Sequence, residues 1–364
     1  AAAISLMTGL AMLTGCSRAE VEETIQPLVA DAIEESDSEA EAVKEEDESP
    51  LIPEIDTDIK IHAGSRIAVV SKCVKGEYWK MVKKGMEDAV KEINKAYGYK
   101  KDDQITMTFE GPDNEEDVET QINTIDAVIA ENPDVLCISA SDMDSCEAQL
   151  EAAKENGIPV IAFDSNVAEK KLVKAYRGTD NVQVGKMAAY QLGSALGKMG
   201  KVAVFSAQQK TKSIQDRVEG FMNNIGKYGD IEVVETIYSD QVDDMEASMK
   251  EVLEKYPTLD GVFCTNAEIT EMYLNLEKSD EHDAPALVGV DATTKQQEAI
   301  RNGEEIGCVS QQPYAMGYQT IWAAVETTAP KKSVVIEKNV LSNPAWIDAD
   351  CLDDPDYSGY LYTE

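Results

Sequence analysis

Short apolar runs alternate with longer amphipathic stretches from about Arg66 onward. The runs "RIAVVS", "QITMTFEG", "DVLCIS" and "IPVIAFD" are rich in β-branched residues and predict strands. Helix-length segments such as "YWKMVKKGMEDAVKEINKAY" separate them and carry their apolar residues on one face. This alternation predicts a parallel sheet with helices on both of its faces.

The same pattern begins again near "AYRGTDN". The runs "KVAVFSA", "IEVVETIYS", "LDGVFCTN", "ALVGVDA" and "IGCVSQ" predict a second set of strands, again separated by helices. Roughly 300 residues of such sequence exceed what one hydrophobic core usually supports. We therefore expect an α/β fold with two similar, doubly wound parallel-sheet lobes.

The first 60 residues lack this alternation. The run "AAAISLMTGLAML" is apolar but shorter than the roughly 20 residues that cross a bilayer, and we predict residues 1–15 to be the remnant of a secretory signal peptide. The ending "LTGC" resembles a bacterial lipobox, which implies cleavage before Cys16 and acylation of that residue. The alternative is a buried core helix with an incidental thiol. Residues 16–60 are crowded with acids and predict a lipidated, disordered tether.

Charge and composition narrow the function classes. The net charge of -36 argues against nucleic-acid partners and against adhesion to anionic lipid, so contact with the membrane is expected through Cys16 only. The seven cysteines show no CxxC spacing; we interpret Cys137 and Cys264 as structural and leave any disulfide open. The chain has two histidines, His62 and His282, so we predict no metal site and no cofactor.

Polar side chains follow most of the predicted strands. Ligands of open α/β sheets bind beyond the carboxyl ends of the strands, and two aromatic residues after the first strand are placed to cover a sugar ring. The candidate ligand-binding residues are Ser71, Tyr78, Trp79, Asp164, Ser165, Arg217, Asn266, Asp291 and Gln311. Together these side chains donate and accept hydrogen bonds, as a small molecule dense in hydroxyls requires.

Each candidate also has a structural interpretation. Asp and Asn after strands commonly cap helices or form turns, and Tyr78 with Trp79 can pack the start of a helix. Arg217 can pair with Asp216 or Glu219 on a solvated face. The sequence shows no nucleophile with a partner base, no GxSxG elbow and no phosphate-binding glycine loop. We therefore predict no catalytic residues and no enzymatic activity.

From about Arg66 to Leu352 the chain resembles periplasmic binding proteins of the ribose and galactose type, which share their fold with the ligand-binding half of LacI-type repressors. The stretches that carry the resemblance are "YWKMVKKGMEDA", "NGIPVIAFDS", "YRGTDNVQVGKMAA", "DRVEGF", "VFCTNAE", "VGVDAT" and "CVSQQPYAMG". It implies a type 1 fold whose two lobes are joined by a hinge of three crossovers and close on a ligand. The implied segments are 64–178 plus 312–333 for the amino-terminal lobe, 179–311 plus 334–352 for the carboxyl-terminal lobe, and 353–364 for a tail.

Some positions depart from the family pattern. Ser165 stands where ribose-type members have an arginine, and "DQVDDM" stands where the second lobe of sugar binders usually offers an aromatic residue. Lys72 or Lys75 in the first loop is expected to meet an anionic group. The calcium loop of galactose-type members has no counterpart in this sequence.

The resemblance implies an extracytoplasmic, lipid-anchored and monomeric solute-binding protein that delivers a monosaccharide or polyol to an ABC importer permease. The alternative is a sensory receptor that presents its ligand to a sensor kinase or chemoreceptor. A repressor is disfavoured because no basic helix-turn-helix precedes Arg66, and a glycosidase would have to use two carboxylates such as Asp164 and Asp291. On this interpretation, Asp164→Ala or Arg217→Ala abolishes the ligand-induced thermal shift and leaves the melting of the ligand-free protein nearly intact.

Overall fold

The computed structural model describes residues 52–276, 284–330 and 333–363. The predicted signal remnant, the predicted lipidation site Cys16, the tether as far as residue 51 and His282 lie outside these residues. Their predictions therefore stay predictions.

The folded body begins before the first strand. Ile55, Ile59 and Ile61 pack against the hydrophobic core of the first lobe. The hydroxyl of Tyr97 donates to the backbone carbonyls of Asp56 and Ile59, both at 2.8 Å. Folded contacts thus begin inside the range 16–60 that we assigned to the tether.

Strands and helices alternate along the described chain as the apolar runs predict. The strands are β1 (Arg66–Val70), β2 (Thr106–Glu110), β3 (Val135–Ile138), β4 (Val160–Phe163), β5 (Ala175–Thr179), β6 (Met199–Ser206), β7 (Asp230–Tyr238), β8 (Gly261–Cys264), β9 (Ala286–Val290), β10 (Gly307–Ser310), β11 (Asn339–Ser342) and β12 (Ala345–Ile347). The helices are α1 (Glu77–Ala96), α2 (Val118–Ala130), α3 (Glu147–Glu155), α4 (Asn181–Ala195), α5 (Lys212–Ile225), α6 (Met245–Lys255), α7 (Ala267–Leu274), α8 (Thr294–Asn302) and α9 (Pro313–Thr327).

The strands of the described residues form two six-stranded sheets with matching orders. The first sheet runs β11-β5-β4-β3-β1-β2 and the second β12-β10-β9-β8-β6-β7. Neighbouring strands are parallel, except that β12 pairs antiparallel with β10. The prediction of two similar doubly wound α/β lobes is confirmed.

The central strands are buried along their whole length because helices cover both faces of each sheet. Every residue of β3, β4, β8 and β10 is buried, which explains why these strands are continuous apolar runs. Cys137 and Cys264 are fully buried within β3 and β8, and no disulfide joins the six cysteines of the described residues. Among the described residues, no helix has both the length and the apolar character needed to cross a bilayer.

The chain passes between the two sheets three times. The passages lie between β5 and α4, between β10 and α9, and between β11 and β12. The last of them differs from our assignment of residues 334–352 to the carboxyl-terminal lobe. β11 pairs with β5 in the first sheet, from Asn339 opposite Tyr176 to Ser342 opposite Thr179, and only β12 joins the second sheet.

In each lobe two helices cross at a pair of glycines. A β-carbon at Gly85 of α1 would collide with the carbonyl of Tyr314, and one at Gly317 of α9 would collide with the carbonyl of Val82. α4 and α5 meet in the same way through Gly185 and Gly220. Because backbones can approach this closely only without side chains, the glycines bring α1 into close contact with α9, and α5 into close contact with α4. α1 carries Tyr78 and Trp79, and α5 carries Arg217.

Candidate functional site

A cavity of about 320 Å³ lies at the carboxyl ends of the strands, with walls from both lobes. Its volume falls at the lower end of the range for small-ligand pockets. Seven of the nine predicted site residues line it, and these are Tyr78, Trp79, Asp164, Arg217, Asn266, Asp291 and Gln311. The rule that ligands bind beyond strand ends therefore brings together side chains far apart in sequence.

Asp164 is the polar centre of the amino-lobe wall. It directly follows β4, with a positive φ of 55°. Its Oδ1 accepts the hydroxyl of Tyr78 at 2.6 Å, and its Oδ2 accepts the hydroxyl of Ser139 at 2.8 Å. Burial acts to raise the pKa of Asp164, but the charge of Lys72 and the two hydroxyl donors outweigh it and hold that pKa below its usual value.

Lys72 is a buried cation of this wall, and two carboxylates share it. Its Nζ lies 3.1 Å from Asp164 Oδ2 and 3.5 Å from Glu115 Oε2, and the Lys72 side chain is only 5% exposed. The same ammonium lies 5.7 Å from the ring centroid of Trp79, whose Nε1 donates to Glu115 Oε1 at 2.7 Å. Burial acts to lower the pKa of Lys72, yet Asp164 and Glu115 together raise it, so the lysine is charged.

Asp291 is the corresponding carboxylate of the carboxyl-lobe wall. It follows β9 with a positive φ of 78°. Its Oδ1 accepts Nε2 of Gln311 at 2.7 Å and the hydroxyl of Tyr362 at 2.9 Å. Its Oδ2 accepts the backbone N–H of Ala267 at 3.0 Å. All three of these donors are neutral, so none of the hydrogen bonds to Asp291 brings a positive charge to the carboxylate.

Arg217 and Asn266 supply donors from the same lobe. Arg217 lies in the second turn of α5; its Nε donates to Asn181 Oδ1 and its Nη1 to the carbonyl of Thr265, both at 2.8 Å. These two bonds fix the plane of the guanidinium and leave its Nη2 edge for a ligand. Asn266 caps α7, because its Oδ1 accepts the N–H of Ile269. Its amide nitrogen thus remains as a donor, and the residue is both a helix cap and part of the cavity wall.

Two predicted site residues do not line the cavity. The hydroxyl of Ser71 donates to the backbone carbonyls of Cys73 at 2.7 Å and Glu110 at 3.2 Å, within the turn that follows β1. Ser165 is fully buried, and its Oγ accepts the N–H of Ser213 from the other lobe at 3.3 Å. The Ser71 hydroxyl thus bonds backbone within its own lobe, as is common for serine in turns, whereas Ser165 Oγ takes part in a contact between the lobes.

The mouth of the cavity is acidic. Its carboxylates come from Glu77, Asp113, Glu115, Glu268 and Glu271. Lys75, one of the two lysines that we expected to meet an anionic group, pairs with Asp113 in an exposed position. Partial burial in the cleft, followed by the charges of Glu115 and nearby glutamates, raises the pKa of Glu268 to about 7.

The lobes contact each other on both sides of this cavity. On one side, the hydroxyl of Thr211 donates to the carbonyl of Ser141 at 2.5 Å. On the other side, the N–H of Thr294 donates to Glu77 Oε2 at 2.7 Å. Both hydrogen bonds link one lobe to the other, so they exist only while the lobes are together.

Glu115 and Tyr362 are among the residues around this site that sequence reasoning missed. Glu115 lies in the loop after β2, so the strand-end rule applied to "QITMTFEG" would have found it. Tyr362 lies in the segment that we assigned to a tail. Its signal was composition, since "DYSGYLYTE" contains three tyrosines, and aromatic residues are unusual in a disordered end.

Solved structures share this architecture. An ABC transporter solute-binding protein from Agrobacterium vitis with bound D-fucose is 26% identical, with a TM-score of 0.74 over 82% of this chain and 100% of that one. A second protein from the same organism, bound with alpha-D-tagatopyranose, is 24% identical with a TM-score of 0.75 and the same coverage, and it shows the fold alone.

Sequence relatives agree with the structural comparison. The ribose import binding protein of Bacillus subtilis is 26% identical over 220 residues, which cover 60% of this chain and 71% of that protein. The xylitol-binding protein of Mycolicibacterium smegmatis is 24% identical over 211 residues, or 57% of this chain and 60% of that protein. The family model described as periplasmic binding protein domain matches residues 67–332, a span that includes most of both lobes. The chain belongs to this periplasmic binding protein family.

Proposed function

We propose that this protein captures a small hydroxyl-rich ligand, a monosaccharide or polyol, outside the cytoplasm and delivers it to the permease of an ABC importer. The observation that carries the proposal is the cavity to which both lobes present hydrogen-bonding side chains. The similar proteins whose names mention ribose, xylitol and D-fucose support the class of ligand.

The arrangement would work by differential stabilisation of one conformation. Asp164 from one lobe and Asp291 with Arg217 from the other can bind the same small molecule only when the lobes are closed. A ligand therefore shifts the population toward the closed form by the difference between its affinities for the two forms. The importer would then recognise the closed monomer.

We infer further that the mature chain is held at the outer face of the membrane by lipid on Cys16. The motif "LTGC" and the acidic stretch that follows it support this anchor and its tether. Intact mass of the protein extracted from cells would show the acyl groups, and Cys16→Ser would release the protein from the membrane fraction. A membrane-bound Cys16→Ser protein would contradict the anchor.

The ligand can be identified with a thermal-shift panel of D-ribose, D-allose, D-fucose, D-tagatose and xylitol, followed by calorimetric titration. We expect at least one member to raise the melting temperature, since a ligand at 100 times its Kd adds about 2.7 kcal/mol to the free energy of unfolding. Chromatography after long incubation should recover the ligand unaltered, because we propose binding without chemistry.

Asp243→Asn is the negative control for substitutions of site residues in the carboxyl-terminal lobe. Asp243 is exposed and lies outside the cavity lining, so Asp243→Asn should bind with the wild-type affinity. The proposal fails if no panel member shifts the melting temperature and native mass spectrometry finds no co-purified small molecule. Turnover of the bound sugar would instead indicate an enzyme.

A further inference from the structure

The last residues of the described chain form part of the folded body. Residues Pro355–Tyr360 form a short 3₁₀ helix, and Tyr357, Tyr360 and Leu361 pack with Leu352 against the second sheet. The next residue, Tyr362, is fully buried in the hydrophobic cluster of the first lobe. This C-terminal segment, residues 355–362, therefore contacts the cores of both lobes.

The backbone of Tyr362 is held on two sides. Its N–H donates to the carbonyl of Ala292 at 3.0 Å, and its carbonyl accepts Nε2 of Gln297 at 2.8 Å. Ala292 directly follows Asp291 after β9, and Gln297 lies in α8, the next helix. The direction in which the tyrosine ring leaves the backbone is thereby fixed relative to that aspartate.

The ring of Tyr362 lies directly behind the cavity wall. Its centroid is 5.9 Å from that of Tyr78, at an angle of 57°. Its hydroxyl donates to Asp291 Oδ1 at 2.9 Å. Asp291 and Tyr78 both line the cavity, whereas Tyr362 does not, so Tyr362 acts on a ligand only through these two neighbours.

We propose that Tyr362 is a positioning residue for ligand binding. The C-terminal segment places it behind the cavity wall, where it orients the Asp291 carboxylate and supports Tyr78. The inference rests on the proposed function, because it assigns Tyr362 a role in ligand selection. With Oδ1 held by Tyr362 and Gln311 and Oδ2 by the N–H of Ala267, the carboxylate presents one remaining acceptor position, on Oδ2, in one direction. It therefore discriminates between sugars that differ in the orientation of one hydroxyl.

The test compares Tyr362→Phe and Tyr362→Leu with the control Tyr360→Phe. Tyr360 belongs to the same segment, but its hydroxyl bonds the carbonyl of Asn343 in an exposed position, so its loss should leave affinity and selectivity unchanged. Tyr362→Phe keeps the ring and removes the hydrogen bond, and we expect about a 10-fold loss of affinity for the preferred ligand. Tyr362→Leu also removes the support behind Tyr78, and its loss should be larger.

Selectivity separates positioning from a purely structural role. Calorimetric titration of D-ribose, D-allose, D-fucose, D-tagatose and xylitol should show that Tyr362→Phe compresses the ratio of affinities between the preferred sugar and the others, while the ligand-free melting temperature stays near that of the wild type. Equal loss for all ligands together with a lowered melting temperature would overturn the positioning role, as would unchanged binding. A wild-type protein that binds no panel member overturns the proposed function and this role together, whereas wild-type binding that Tyr362→Phe leaves intact overturns only the role of Tyr362.

Discussion

The two lobes hold an aspartate at equivalent points of their sheets. Asp164 follows β4 and Asp291 follows β9, and these strands occupy the same place in the two strand orders. Both aspartates have a positive φ, and each accepts a tyrosine hydroxyl, from Tyr78 and Tyr362 respectively. The repeated backbone thus places the same acceptor on either side of the cavity.

The electrostatic surroundings of the two carboxylates differ. Asp164 is paired at 3.1 Å with the buried ammonium of Lys72, whereas the bonds to Asp291 come from the neutral groups of Gln311, Tyr362 and Ala267. A carboxylate already neutralised by a cation attracts a ligand hydroxyl less strongly than one bonded to neutral donors. We propose that these equivalent positions have different roles: Asp164 with Lys72 shapes the cavity, and Asp291 is the stronger hydrogen-bond acceptor for a ligand hydroxyl.

The largest expected effect tests the buried ion pair. Asp164→Asn keeps the shape of the side chain, and asparagine tolerates the positive φ, but the variant leaves the Lys72 ammonium buried without its main partner. We expect the free energy of unfolding to fall by about 3 to 5 kcal/mol in urea titrations without ligand. This revises the expectation from sequence that removal of Asp164 leaves the ligand-free protein nearly intact.

A double variant serves as the control for this effect. Lys72→Met added to Asp164→Asn removes the unpaired charge, so most of the lost stability should return while the ligand affinity does not. If Asp164→Asn alone unfolds at the wild-type urea midpoint, the ion pair has no structural role and the proposed difference between the lobes is lost.

The same substitution in the other lobe should cost less stability. Asp291→Asn leaves no cation behind, and the amide oxygen can still accept one hydrogen bond, so we expect the free energy of unfolding to fall by about 1 to 3 kcal/mol. Ligand affinity should nevertheless fall at least about 10-fold, because the charged acceptor is gone. Equal destabilisation by Asp164→Asn and Asp291→Asn, measured side by side, would break the comparison.

The fold and much of the cavity could be predicted because they follow from local pattern. Strand period, helix period and the rule for strand ends do not require knowledge of how distant side chains meet. Asp164, Asp291 and Asn266 were found in this way, each as the first or second polar residue after an apolar run. Ser71 and Ser165 followed the same rule but lie outside the cavity lining, because small hydroxyls find backbone partners first.

The remaining features depend on how distant parts of the chain meet in the folded protein, which no local sequence pattern shows. The stretch "NVLSNPAWI" contains two strands of four and three residues in different sheets, and each is too short to show a period. The position of Tyr362 depends on a segment that returns across the second lobe. The partner of Lys72 was left open because a long side chain in a loop can reach several carboxylates.

Two of the glutamates at the mouth of the cavity, one from each lobe, repeat the contrast between the lobes. Glu115 of the amino lobe accepts Trp79 Nε1 and lies 3.5 Å from Lys72, so the ammonium that pairs with Asp164 also partly offsets the charge of Glu115. Glu268 of the carboxyl lobe faces other carboxylates, and partial burial with these charges raises its pKa to about 7 from a usual value of 4.5. Glu268, at the carboxyl-lobe side of the acidic mouth, therefore takes up a proton near neutral pH.

The smallest expected effect is the pH dependence that this proton produces. Between pH 4.5 and 7 the folded protein holds a proton on Glu268 that the unfolded chain releases, so this group makes stability fall as pH rises through that window. Glu268→Gln should remove this decline. Its melting temperature should therefore exceed that of the wild type at pH 8 but not at pH 5, by no more than about 2 °C because the side chain retains solvent access. Glu254→Gln, an exposed glutamate of α6, is the matched control and should follow the wild-type profile. If Glu268→Gln keeps the wild-type pH profile, the carboxyl-lobe mouth is as well compensated as the amino-lobe mouth, and the contrast is confined to Asp164 and Asp291.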